Sequence, residues 1–338
     1  MLFSKYMRPL LGGACGLSLV AAVPPSRVTP ATARRAADVA ACRLPAVPGA
    51  DLSSGFGFGA DCAPSTGTLD AFMFFVDFAD QEGPAGDDDT PDALHDFLVP
   101  GAAAWYATSS YGRLALNVTA DRAGFRRMPP ASSYGWDRGL TYEAHETYIQ
   151  DALDAYTADG GPPPPEVDVL YVVATRVASL ISFSPTFMGE VVTRSGVRVA
   201  SKAVTIGHDA YDAWRHLVVN HETGHAICLP DLYPVDGRPT GLYVGGWDLM
   251  GYINGPSPDY LAWNKWRLDW LDDADIDCVD GAGSSTHTLS AIEVADDELN
   301  DAALTLDGAS EYAVPGWGVT VRVTAQDGDA YTIQVDVA

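Results

Sequence analysis

His221-Glu222-Thr223-Gly224-His225-Ala226-Ile227-Cys228-Leu229-Pro230-Asp231 is the stretch from which the rest of the chain is read. Two histidines four residues apart project from the same face of a helix, so both imidazoles can reach one zinc ion at about 2.0 to 2.1 Å. Glu222, one position on, then stands where a general base is needed. The apolar spacing predicts a helix from Tyr211 to Cys228, with Trp214, Leu217, Val218, His221 and His225 on neighbouring faces. The competing reading, a pair of ordinary surface histidines, is weakened because the motif falls on a helix expected independently of it. A third ligand is needed, and Asp231 stands six residues beyond His225. Leu229-Pro230 is expected to stop the helix, since only a chain that turns back can bring Asp231 to the same metal. Two neutral imidazoles and one carboxylate leave such a site at about +1, with a fourth position open to water.

Outward from this helix, Ala71 to Phe78 is a continuous apolar run between turn formers, as expected for a buried strand. Thr90-Pro91 starts a helix that continues through Ala93 to Tyr106, with Leu94, Phe97, Leu98 and Trp105 on one stripe. Tyr111 to Val118 reads as a strand and Thr141 to Tyr156 as a helix. Gly160-Gly161 and Pro162 to Pro165 then break the chain before the strand Val167 to Ala174. Arg198 to Ile206 adds a strand, and Ser257-Pro258 opens a helix through Leu271. Alternating residues in Gly318 to Val323 and Tyr331 to Val335 predict a small β module at the end of the chain. No internal repeat is visible. Asp87-Asp88-Asp89 lacks the alternating ligands and the Gly of an EF-hand and reads as solvated acid. His95, His145, His208, His216 and His287 have no ligand spacing and read as ordinary surface or core residues.

Composition excludes whole classes. The chain has 338 residues, 45 acidic against 20 basic side chains and a net charge of −25, so it lacks the clustered Lys and Arg that carry nucleic-acid affinity. With 47% apolar residues it can bury a core, which sets it apart from disordered or collagen-like chains.

The N-terminus has the layout of a secretory signal peptide. Lys5 and Arg8 precede an apolar run from Leu10 to Val23, then Pro24-Pro25 and Ala31-Thr32-Ala33. The run is shorter than the roughly 20 residues needed to cross a bilayer, so residues 1–33 are expected to be removed and the protein exported without a membrane span. Cys15 leaves with them. Cys42, Cys62, Cys228 and Cys278 remain, an even number in an oxidising compartment, which predicts two disulfides. Of the three possible pairings, Cys42 with Cys62 and Cys228 with Cys278 are expected because each braces one region. Residues 34–66, rich in Pro, Gly and Ser, read as a pro-segment or irregular wrap. Asn117-Val118-Thr119 matches a glycosylation acceptor, a triplet that is common by chance.

His221 to Asp231, continued by Leu232-Tyr233 and followed by Gly245-Gly246-Trp247-Asp248-Leu249-Met250, resembles the immune-inhibitor-A-like metallopeptidases, secreted zinc endopeptidases grouped with the metzincins. Phe75 to Phe78, Ser109 to Leu114, Ile181 to Pro185, Ile206 to Asp209 and Ala262 to Trp266 are similar to the same family. The resemblance implies an α+β fold: a metzincin-like zinc peptidase domain over residues 67–278, with a mixed sheet, an active-site helix and a Met-turn, followed by the β module at 279–338. It implies that Met250 forms a hydrophobic floor beneath the zinc. It also implies that Tyr252 can lend a phenol to the transition state, a role for which Tyr233 competes. Structural calcium is implied without nameable residues. A monomer acting on protein or peptide substrates is expected. One departure is Cys228 where the family has Gly: a left-handed backbone there costs a residue bearing Cβ roughly 1–2 kcal/mol. A Cys228–Cys278 disulfide is expected to hold the turn. If the turn failed to form, the chain would be an inactive homologue acting as an extracellular binding protein.

Overall fold

The computed structural model describes residues 39, 42, 62–158, 160–212, 214–234, 236–255, 259–279, 282–290, 311–314, 318–328 and 330–338. The expected signal segment 1–33, most of the expected wrap that follows it, and Ser257-Pro258 lie outside the described residues.

The apolar run becomes β1 (Gly67–Phe78), buried on both faces from Ala71 onward. Such a strand stays continuously apolar because helices cover the sheet on each side. It pairs in parallel with β2 (Leu114–Met128) and β3 (Val167–Ala174), and β3 pairs in parallel with β6 (Arg198–Ile206). Two short strands, β4 (Thr186–Phe187) and β5 (Val191–Val192), run antiparallel on the free edge of β6. The result is a mixed sheet of order β2-β1-β3-β6-β4, compatible with the α+β class.

Alternate residues of β1 feed two cores. Leu69, Ala71, Met73 and Phe75 pack with α1 (Pro91–Ser109) and α3 (His216–Ala226), whereas Phe72, Phe74, Val76 and Phe78 pack with α2 (Tyr142–Thr157). Both α1 and α2 begin on a threonine whose hydroxyl accepts a backbone N–H: Thr90 from Ala93 and Thr141 from Ala144, each at 3.2 Å. The motif helix α3 is shorter than its spacing suggests. His208–Tyr211 is a separate 3-10 turn, and Arg215 at φ 50 breaks the helix before His216, leaving Trp214 outside it. The C-terminal helix α4 (Ala262–Arg267) also falls short of Leu271, because Asp269 turns to φ 60 and closes it.

The strand expected to end at Val118 runs on to Met128 as β2. Its arginine-rich second half hides this in the sequence, yet Arg127 donates twice to the buried Asp77 of β1 at 2.8 Å. Asp89 corrects a second expectation. It is fully buried rather than solvated, accepting from Ala85 N, Thr175 Oγ1 and Arg176 N at 2.5–2.8 Å, and so pins the loop before α1 to the end of β3.

The disulfides form with exchanged partners. Cys42 bonds to Cys278 and Cys62 to Cys228, not Cys42 to Cys62 and Cys228 to Cys278. Each described part of this stretch meets the domain separately: Ala63 N donates to Ala226 O at the end of α3, and Val39 packs with Trp266 and Leu271. A pro-segment ending at Thr66 would therefore stay covalently attached after cleavage.

The tail is an antiparallel sheet of order β7-β10-β9-β8, comprising β7 (Gly283–Ser290), β8 (Glu311–Val314), β9 (Val319–Asp327) and β10 (Ala330–Val337). Among the described residues, no helix is long and apolar enough to cross a membrane.

Candidate metal centre

α3 carries His221 and His225 on one face, and their rings stand 4.9 Å apart at right angles. The helix ends in a Schellman motif: Leu229 N donates to Gly224 O and Cys228 N to His225 O, each at 2.8 Å, with Cys228 left-handed at φ 72. The turn is thus made at Cys228, two residues before Pro230, and it returns the chain so that Asp231 meets both histidines. Asp231 Oδ1 lies 3.2 Å from His221 Nε2 and 3.2 Å from His225 Nε2. Among the described residues, these three side chains form the one group of ligand type whose donor atoms all lie within 4.8 Å of one another. A His-His-Asp triad of this kind can hold a metal ion.

The other ring nitrogens fix the tautomers. His221 Nδ1 lies 2.8 Å from Leu249 O, and His225 Nδ1 lies 2.8 Å from Leu229 O. A carbonyl oxygen only accepts, so each Nδ1 carries the proton and each neutral ring turns an Nε2 lone pair toward Asp231. Asp231 Oδ1 is buried and has no hydrogen-bond donor. Two lone pairs and a buried carboxylate oxygen facing one another satisfy a cation, and nitrogen and oxygen donors of this kind suit zinc. Without a metal, protons take the same place. Burial opposes it, but the two imidazoles hold Asp231 well below the usual carboxylate range. Burial likewise opposes charge on His225, while Asp231 beside it raises that imidazole.

Glu222 is buried next to the triad, with Oε1 4.0 Å from His221 Nε2. Burial pushes its carboxyl up, and the neighbouring imidazoles and the Thr186 hydroxyl pull it part of the way back. Thr186 Oγ1, on edge strand β4, lies 2.8 Å from both Glu222 O and Glu222 Oε2. Oε1 is left on the side of His221 Nε2.

The floor is built by close approach. Met250 is fully buried, and its carbonyl accepts from Leu232 N at 2.9 Å, tying the turn at Asp248–Met250 to the segment that carries Asp231. A Cβ on Gly224 would lie 2.6 Å from Met250 Sδ and 2.6 Å from Tyr260 Oη, so only glycine lets α3 settle on this turn. Asp248 braces the turn from within, accepting from Met250 N and Leu261 N at 2.7 Å; burial pushes its carboxyl up to about 6.

Of the two tyrosines, Tyr233 borders the groove that holds His221, His225, Asp231 and Glu222. Tyr252 is 38% exposed and lines the adjoining cavity beside Glu222. The remaining histidines stand apart, with His145, for example, buried 3.0 Å from Thr205 Oγ1. Sequence reasoning missed Thr186, Gly224 and the carbonyls of Leu229 and Leu249. A glycine inside a helical motif carries no chemical signal of its own, and a backbone carbonyl has no residue-type signal.

No family model matches the chain, and no curated protein matches it either.

Proposed function

We propose that this chain is an exported zinc-dependent endopeptidase of the immune-inhibitor-A-like, metzincin type, with His221, His225 and Asp231 as zinc ligands and Glu222 as general base and acid. The observation that carries the reading is the convergence of two tautomer-fixed Nε2 atoms on the donorless Asp231 Oδ1, with Glu222 beside them. Zinc at this place supplies Lewis acidity toward a carbonyl and a lowered pKa for water.

The protein's own part follows from its geometry. Thr186 holds one oxygen of Glu222, and the other takes a proton from the attacking water. Its raised affinity for protons, a consequence of burial, suits it to keep that proton and deliver it to the departing amine. Leu229 O and Leu249 O keep both imidazoles turned toward the ligand position throughout. Tyr233, at the groove, and Tyr252, at the cavity beside it, are the phenols that border the site, and either is the candidate to stabilise an oxyanion. The paired cysteines and the signal-like N-terminus support export. The turn formed at Cys228 supports this reading over an inactive homologue, the alternative raised by Cys in place of Gly.

Casein hydrolysis by the purified chain tests the proposal. Activity removed by phenanthroline and restored by zinc is expected, and a folded, zinc-loaded chain that cleaves nothing overturns it.

A further inference from the structure

Beside the triad the cleft opens into a cavity of about 290 Å³. Glu222 and His221 form part of its wall, and Phe183, Trp214, Val218 and Ile253 make much of the rest apolar. One further carboxylate reaches it. Asp209, in the 3-10 turn after β6, is held by Ser184, whose N donates to Oδ2 at 2.9 Å and whose Oγ donates to Oδ1 at 2.6 Å. Ser184 Oγ in turn accepts from Gly207 N at 2.9 Å, so the carboxylate is fixed in place. The backbone N–H groups of Ala210 and Asp209 also reach the carboxylate, and no Lys or Arg lines the cavity among the described residues.

An apolar slot with one such carboxylate suits a side chain with a long methylene stem and a cationic tip. A purely apolar side chain would instead leave Asp209 facing hydrocarbon, which is unfavourable. The net charge of −25 also favours approach by basic peptides. We propose that this cavity receives an arginine or lysine side chain next to the cleaved bond, and that Asp209 selects it. The assignment rests on the peptidase reading above.

Two measurements on the full zinc-loaded chain test it. In the first, cleavage sites in a defined peptide mixture are read by mass spectrometry, and kcat/KM is compared for an arginine peptide and its norleucine twin. Lys and Arg should be enriched at one position flanking the cleaved bond. Asp209→Asn should lower the arginine-to-norleucine ratio roughly ten- to a hundred-fold, with Asp209→Glu retaining part of it. A ratio unchanged in Asp209→Asn, with both peptides slowed equally, would reduce Asp209 to a brace for Ser184 and overturn the assignment. In the second, calorimetry compares binding of the same twins to the Glu222→Gln chain. Equal binding overturns the cavity assignment, whereas a preference for arginine in a protein whose wild type cleaves nothing overturns the peptidase reading alone.

Discussion

Cys228, left-handed at φ 72 immediately after the motif helix, is disulfide-bonded to Cys62, 166 residues earlier in the chain. The bond holds a residue bearing Cβ in a conformation that favours glycine, at the turn that delivers Asp231. Cys62→Ala is expected to destabilise the fold by about 2–4 kcal/mol, through loss of the crosslink. Adding Cys228→Gly should return roughly 1–2 kcal/mol, because the strain no longer has a Cβ to act on. Guanidinium unfolding of the single and double variants checks this. A double variant less stable than Cys62→Ala would contradict it.

Gly224→Ala separates helix propensity from packing. On propensity alone the change stabilises a helix by about 1 kcal/mol. Here the new methyl meets Met250 and Tyr260, and Tyr260 is anchored by its hydroxyl to Asn220 O at 2.9 Å. Overpacking should win and give a net loss of about 1–3 kcal/mol, together with weaker zinc retention in dialysis. Thermal unfolding decides the sign, and a higher melting temperature would refute the close approach.

The convergence of His221, His225 and Asp231 and three of the parallel strands were legible because each rests on local signals. His221, His225 and Asp231 show a helix period followed by a return, and β1, β3 and β6 are bounded apolar runs. The cysteine pairing was not legible, since locality favours Cys42 with Cys62, whereas each of the two bonds to a cysteine more than 160 residues away. Nor was the start of α3, because Tyr211 to Arg215 carries helix-compatible residues and only the backbone at Arg215 shows the break. Thr186 lies far from the motif in sequence and reaches Glu222 only through the pairing of β4 with β6.

Thr186 is a positioning residue for Glu222. Thr186→Val keeps the shape and removes the hydroxyl, so kcat should fall about tenfold with KM little changed, a loss of roughly 1–1.5 kcal/mol in the transition state. Thr186→Ser should recover most of the rate. Steady-state kinetics on one peptide distinguishes the cases, and a Val variant at full rate would remove Thr186 from the account.

His145 makes the fold acid-sensitive. Burial among Trp136, Tyr148 and Phe187 lowers its pKa from 6.5 to about 3. The folded state binds this proton less tightly than the unfolded chain. The stabilising contribution is therefore complete above pH 6.5 and is lost as pH falls toward 3, by up to about 5 kcal/mol. Denaturant midpoints measured from pH 7 to pH 4 should fall more steeply for wild type than for His145→Gln. Parallel curves would show that His145 does not titrate between the two states.

The most direct measurement compares wild type with Glu222→Gln at equal zinc content, established by metal analysis of both proteins, in casein hydrolysis. The account predicts the same bound zinc, about one ion per chain, and a rate at least about a hundred-fold lower in the variant, as befits loss of the general base. Equal rates at equal zinc, or no hydrolysis by the zinc-loaded wild type, would contradict it.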